Sequence, residues 1–550
     1  MRPHSGTHWS KTGRVGVGHV NESAQHSARG RPLISSATMF SGRKRHTPDS
    51  IEATDDILIP LLQEKLREGL TWKLWKAQRH GAGLPVWRSR LQQLQDEISD
   101  ELLLSRPLVT ERGAWVDVGE AIREVTARYQ PRGLFWQPPA IPAISCLWKV
   151  SFDNRYIFGK HNEGFFIQPL MVFNPQSPAH VTSVAVALVK EDNATLRSVL
   201  VETKLDDVLY QLERTMFVVN GAVVPGDYQL CGDWISLHAE LDTDVSNSRD
   251  ADALTCYSCW IQKSELKETW LEAPFQYYKP CRTMADFPNS ALPGVPLYKR
   301  RYCWMHGVTR LTSTTLGHLY GTIPARDALK NEFRAIMDSV HPDWTEDANL
   351  QCKEMKQLLR GGQPVLLSSL FDTRAVEAYP WPTEQRSVDF TPREMAELVL
   401  CSLRVYHDFA YTKWPSAQAF LTLWHARQAL LAFYAGKRLP LTPTSHFMFN
   451  EALHFAKIDR TAYWTLQEAI EQKNYIDKQH ARQTISTAAR NGPKKSRWQQ
   501  MLDRQLLLRG LTWKNDVADR PPQQNWSEEG LKGIRPLSLK YPLEIVLPGL

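Results

Sequence analysis

The apolar positions in the middle of the chain fall in short runs. Lys149 to Phe158, Gly164 to Phe173 and Val181 to Val189 are three such runs, divided by turn residues, and they predict three strands. Asn193 is placed to cap a helix whose apolar face is Leu196, Val199, Leu200, Val208, Leu209 and Leu212. Met216 to Val224 carries Asn220-Gly221 between apolar residues, the pattern of a tight hairpin. A further short strand, Tyr228 to Cys231, leads into Gly232-Asp233. Three strands, a helix and more strand predict an α/β core with a mixed sheet.

The flanks read differently. In residues 51–130, Leu91, Leu94, Ile98 and Leu102 recur at helical spacing, which predicts a helical N-terminal domain that binds DNA, dimerises or packs on the core. Pro60 limits the helix ahead of it. Residues 251–445 turn mostly helical. Thr391-Pro392-Arg393-Glu394 is a capping box with proline at the first helical position, and it opens a helix through Leu398, Leu400, Leu403 and Val405. Ser416 to Tyr434 is another helix, stopped by Gly436, and a third follows Thr461. The boundaries predicted are a disordered basic tail at 1–50, the helical domain at 51–130 and a first core part at 145–250. A helical insertion at 251–445, a second core part at 446–515 and an extended Pro-rich tail at 516–550 complete the chain.

Composition narrows the classes. With 42% hydrophobic and 23% charged residues the 550-residue chain is globular in type. A membrane helix needs about 18 consecutive apolar residues; the longest apolar run, Val181 to Val189, is interrupted by Thr182 and Ser183, so no membrane span is expected. Eight cysteines scattered over this length suit a reducing compartment rather than a disulfide scaffold. The net charge of +7 is unevenly placed. Residues 1–50 hold eight Lys/Arg against Glu22 and Asp49; such an acid-poor tail suits an organelle transit peptide, and Arg43-Lys44-Arg45 a short nuclear signal. From Lys473 to Lys514 ten Lys/Arg stand against Asp477 and Asp503. A block like this attracts polyanions, nucleic acid first, or else is a solvated helix face. Lys478, Arg482, Arg490, Lys494, Lys495 and Arg497 are its candidate DNA contacts, although Gly492-Pro493 should break or bend a helix there.

Three carboxylates stand where chemistry could use them. Asp153 lies in the first core strand, Asp233 at the end of a later one and Glu471 on a helix far downstream. Two strand ends and a helix are what a two-metal phosphoryl-transfer site draws on, because paired Mg²⁺ or Mn²⁺ ions need several oxygen ligands converging on them. Each residue alone also suits a turn or a cap. Cys256-Tyr257-Ser258-Cys259 is a CxxC, half of a zinc site, for which His446, with Glu451 and His454 close behind, offers the other half. Cys303-Trp304-Met305-His306 is a further CxxH, read as packing with a satisfied histidine in preference to a metal site.

Taken in order over residues 145–500, Asp, Asp, CxxC, His and Glu resemble the catalytic core of the Transib-type transposases and of the V(D)J recombinase that descends from them. Ser151-Phe152-Asp153-Asn154 and Cys231-Gly232-Asp233-Trp234 match the two strand ends. Leu254 to Cys259 matches the CxxC stretch, Pro293 to Pro296 with Cys303 to Arg310 a following segment, Leu441 to His446 the histidine segment and Ala469 to Asn474 the glutamate helix. Asn154, Cys303 and Glu451 depart from the family's glycine, aspartate and second zinc histidine. The resemblance implies an RNase H-like α/β core interrupted by a large helical insertion. It further implies a DDE site of Asp153, Asp233 and Glu471 holding two Mg²⁺ or Mn²⁺, and a structural Zn²⁺ on Cys256, Cys259 and His446 with Glu451 or His454. DNA as substrate, a homodimer and, in a eukaryote, a nuclear location go with it. The rival readings are a transposase-derived protein that binds DNA or a partner without cutting, and a structural or viral interaction protein.

Overall fold

The computed structural model describes residues 55–514 apart from 68–71, 82–87, 102–107, 111–112, 138–142, 158–159, 189–196, 198–199, 244–253, 267–281, 325–326, 347, 361, 382–385 and 485–496. Both terminal tails and the expected Asn193 cap lie outside the described residues.

The chain folds as α/β, with a mixed, mostly antiparallel sheet and many helices. Strands β1 (Leu108–Val109), β2 (Gly113–Trp115), β3 (Cys146–Ile157), β4 (Lys160–Pro169), β5 (Thr182–Leu188), β6 (Met216–Val219), β7 (Ala222–Gly232) and β8 (Arg300–Tyr302) form it. Its order is β1-β2-β5-β4-β3-β7-β6, with β8 paired to β7. The meander β3-β4-β5 is antiparallel, whereas β7 runs parallel to β3 and β8 parallel to β7. Asn220 and Gly221 both adopt left-handed backbone, at φ 49° and 82°, as the two-residue turn between β6 and β7 requires. The hairpin strand and the separate short strand expected at Tyr228 are one continuous β7.

Side chains alternate between the faces of β3 and β7. Trp148, Val150 and Phe152 with Tyr228 and Leu230 enter one hydrophobic cluster. The same cluster takes Leu58, Leu62, Leu91, Leu94 and Ile98 from the helices Asp55–Arg67 and Arg88–Glu101, and Leu502, Leu506 and Leu511 from the helix Arg497–Lys514. The segment read as a helical N-terminal domain therefore supplies helices to the sheet's own core, and to the sheet its edge strand β1 and that strand's neighbour β2.

A second cluster reaches from Leu237 to Leu466 and is built mainly from the helices between Trp304 and Asp459. Thr391 caps the helix Pro392–Ala410 with the expected box: Glu394 N donates to Thr391 Oγ1 at 3.2 Å, and Thr391 N to Glu394 Oε2 at 3.1 Å. Among the described residues no helix is long and apolar enough to cross a membrane.

Candidate active site and candidate metal centre

The other face of the parallel strands is polar. Lys149, Ser151, Gln229 and Cys231 are buried there, and Asp153 and Asp233 continue the two rows. The β3–β7 register runs from Cys146 opposite Gly226 to Ser151 opposite Cys231. Asp153 lies two residues beyond the last pair on β3, and Asp233 two residues beyond it, just past the end of β7. Cys303 follows on the next parallel strand, its N–H donating to Gly232 O at 3.0 Å.

The helix Glu468–Thr484 lies against this face. Four side chains tie it there. Lys149 Nζ donates to Leu466 O at 2.7 Å and Gln467 Nε2 to Phe152 O at 3.1 Å. Asn474 Nδ2 donates to Asp153 Oδ2, and His306 Nε2 stands 3.2 Å from Glu471 Oε1. His306 lies in the first turn of the helix Trp304–Thr322, which leaves β8 directly. Burial alone would pull its imidazole down, yet Cys303 and Glu471 carry it well above the ordinary histidine value. Asp233 N-caps the helix Trp234–Glu240, its Oδ1 accepting from Ser236 N at 2.7 Å.

Asp153, Asp233 and Glu471 are thus placed at one end of one sheet, each with a hydrogen-bond or ionic partner. They are not a closed cage. Among the described residues one group of three or more acidic, cysteine or histidine donors has all its ligand atoms within 4.8 Å of one another, and that group is elsewhere. Sequence reasoning passed over Lys149, Gln467 and Asn474, and it took His306 for core packing. The spacing of His306 from Cys303, one helical turn beyond a strand end, is the signal that could have found it.

That group is Cys256, Cys259, His446 and Glu451, all buried. Cys259 Sγ is 3.3 Å from His446 Nε2, Cys256 Sγ 3.5 Å from Glu451 Oε1, and His446 Nε2 3.4 Å from the same Oε1. The cysteines come from a tight turn after the helix Trp234–Glu240. His446 comes from the helix Pro443–Phe449, and Glu451 opens the helix Glu451–Asp459. Asn450 Nδ2 stands 3.2 Å from His446 Nδ1, which fixes the ring plane. His454 is not in the group. It sits one turn further along its helix, with its ring edge-on to Phe455 at 5.8 Å, while Glu451 at the helix start points into the cluster.

Burial and mutual contact shift three of the four groups. The hydrogen bond with Cys256 lowers the Cys259 thiol to about 7 against its burial, and His446 helps. Burial pushes Cys256 up. Burial pulls His446 down, but Glu451 and Cys259 outweigh it and raise the imidazole to about 10. Glu451 Oε2 is buried with no hydrogen-bond partner. Buried polar and charged groups are ordinarily paired or bound to metal. Ligand atoms on a tetrahedral ion with 2.0–2.3 Å bonds stand about 3.3–3.8 Å apart, so the donor set and its spacings fit a metal ion.

The basic block divides. Lys478 is half-buried on the helix Glu468–Thr484, and Arg482 lies on the same helix. Arg490, Lys494 and Lys495, and the side chain of Arg497, lie outside the described residues. Arg509 turns inward: its guanidinium is buried and NH2 is 2.5 Å from Glu124 Oε2. No protein-family model matches the chain, and no curated protein does either.

Proposed function

We propose that the chain is a DDE-type DNA strand-cleaving and strand-transferring protein on an RNase H-like core, akin to the Transib-type transposases. The observation that carries this reading is the parallel β3–β7 register, whose last pair, Ser151 opposite Cys231, lies two residues before Asp153 on one strand and two before Asp233 on the other. The Glu471 helix against the same face supports it. So does the strand order β5-β4-β3-β7-β8, an antiparallel meander followed by two parallel strands, with the helical body inserted before the glutamate helix.

In this reading Asp153, Asp233 and Glu471 hold two Mg²⁺ or Mn²⁺. Such ions activate the attacking oxygen and stabilise the leaving one at a phosphodiester. The chain's own part is positional. Lys149 and Gln467 clamp the helix to β3, Asn474 orients Asp153, and His306 holds Glu471 toward the strand ends. Water, and then a DNA 3′-hydroxyl, attack in line. Zinc on Cys256, Cys259, His446 and Glu451 staples the insertion to the core. The stretch from Lys478 onward meets the DNA backbone, and a homodimer in a eukaryotic nucleus completes the reading. The test is nicking of supercoiled plasmid in Mn²⁺. Activity is expected in the natural chain and its loss in Asp153→Asn and Asp233→Asn. Nicking that survives both substitutions removes the proposal.

One observation favours a second reading, a transposase-derived protein that binds DNA without cutting it: all three carboxylates are occupied by protein partners. It expects salt-dependent DNA binding and no nicking in Mn²⁺ under any condition that preserves the fold.

A further inference from the structure

A cavity of about 360 Å³ opens at the opposite end of the parallel strands. Leu147 at the start of β3 and Asp227, Tyr228 and Gln229 of β7 line it. Leu147 and Asp153 are six residues apart, so the cavity is about 20 Å along the strand from the carboxylates. Its size is that of a small-molecule site.

The walls specify a ligand. Trp414 and Trp464 meet edge to face, with ring centroids 5.8 Å apart, and form an aromatic corner. Tyr228 and Tyr298 add two more rings. The charged residues of the wall already neutralise one another. Lys299 pairs with Asp227 at 2.5 Å and with Glu213, and Arg301 holds Asp459 through bonds of 2.6 and 2.8 Å. What remains unpaired is neutral: Trp414 Nε1, Trp464 Nε1 and Gln229 Oε1 are buried without a hydrogen-bond partner. Orphaned buried polar atoms are rare and call for an explanation; here two are donors, one is an acceptor, and their residues line one cavity. Arg460 is exposed at the mouth, and no ion pair engages it among the described residues.

We propose that this cavity binds a nucleotide, its flat neutral base against Trp414, Trp464 and Gln229 and its phosphate toward Arg460. A nucleobase offers ring acceptors to the two indole N–H groups and an N–H to the Gln229 oxygen, and stacking on aromatic walls is tolerant of base identity. The nucleotide has two sources, a free mononucleotide or an unpaired nucleotide of a DNA strand. The inference does not depend on catalysis at the carboxylates, which are remote from it.

Calorimetric titration of the full chain tests it, with AMP, GMP, CMP and dTMP as one arm and a DNA hairpin carrying one unpaired nucleotide, against its fully paired counterpart, as the other. Binding is expected in at least one arm, and the arm that binds names the source. Gln229→Leu, which nearly keeps the volume, and Trp464→Phe, which keeps an aromatic ring but a smaller one, each remove one polar atom and should weaken it about tenfold. Arg460→Ala, a change at an exposed side chain, should weaken mononucleotides but not the bare nucleoside. The proposal is overturned if neither arm binds, or if binding is unchanged in Arg460→Ala and in whichever of the two cavity variants folds.

Discussion

Lys149 offers the sharpest physical test of the architecture. Its side chain is fully buried on β3, with Leu466 O as its hydrogen-bond partner. Burial lowers its pKa from 10.5 to about 8, while Cys231 and Cys303 pull the other way. The unfolded chain keeps the proton up to its ordinary value. Between about pH 8 and 10.5 the unfolded state therefore binds more protons than the folded one, and stability rises with pH. A shift of about 2.5 units at 1.36 kcal/mol per unit is worth about 3 kcal/mol. Lys149→Met removes this linkage. The difference in unfolding free energy between variant and natural chain should move by about 3 kcal/mol toward the natural chain between pH 7.5 and 10.5. Urea unfolding at several pH values measures it. Burial pushes the Cys146 and Cys231 thiols up to about 12, which opposes the trend; Cys146 does not feel Lys149 and cancels in the difference, and Cys231, which Lys149 lowers, rises further in the variant and keeps its proton in both folded chains up to pH 10.5. A difference that is flat with pH refutes the argument and implies that Lys149 reaches water.

Three other outcomes are expected. Cys256→Ser should purify with one metal equivalent fewer than the natural chain by elemental analysis, whereas Cys352→Ser, outside the cluster, should keep it. Glu124→Ala leaves the buried Arg509 guanidinium without its carboxylate and should cost about 3 kcal/mol in urea unfolding; a neutral result would mean that Arg509 is free to face DNA. His306→Ala removes the ionic partner of Glu471, and plasmid nicking should fall about ten- to a hundredfold through misplacement of the carboxylate, with the thermal midpoint moved by no more than a few degrees.

The strands that could be read from the sequence are those whose apolar runs are long and whose turns carry their own chemistry. β3, β4 and β5 are of this kind, as is the hairpin at Asn220-Gly221, where backbone preference alone dictates the turn. β8 could not be read. Two of its three residues are Arg300 and Arg301, which look like surface until Glu240 and Asp459 are seen to hold them in the interior. β1 and β2 are too short to show a period. The CxxC pointed to residues that the fold does bring together, but the place of Glu451 in that group in preference to His454 depends on where the helix Glu451–Asp459 begins, and helix starts are set by packing as much as by local pattern. The basic block misled in part. Arg509 counts as charge in the sequence yet is structural, because the apolar face of its helix is committed to the sheet core and draws the guanidinium in with it.

The two sites are mechanically related. Lys149, Gln467 and Asn474 bind the Glu471 helix to β3 across more than 300 residues of chain, so the helical insertion between β8 and that helix must return its end to the place where it left. The Cys256, Cys259, His446 and Glu451 group closes part of this excursion. Cys256 and Cys259 precede β8, and His446 and Glu451 come just before the chain returns to pack the helix Glu468–Thr484 against the sheet. Joining them shortens the loop whose ends the four ties must hold, and closing a loop of nearly 200 residues restricts the unfolded chain by an amount that grows only slowly with length. The benefit of a bound ion is therefore mainly local: it fixes the helix Glu451–Asp459, whose Asp459 holds Arg301 of β8 and whose far end leads through Trp464 to Leu466, the residue that Lys149 grips. Disturbance of the cluster should reach Glu471 along this path, through β8 and the turn before the helix, and not through the bulk of the insertion.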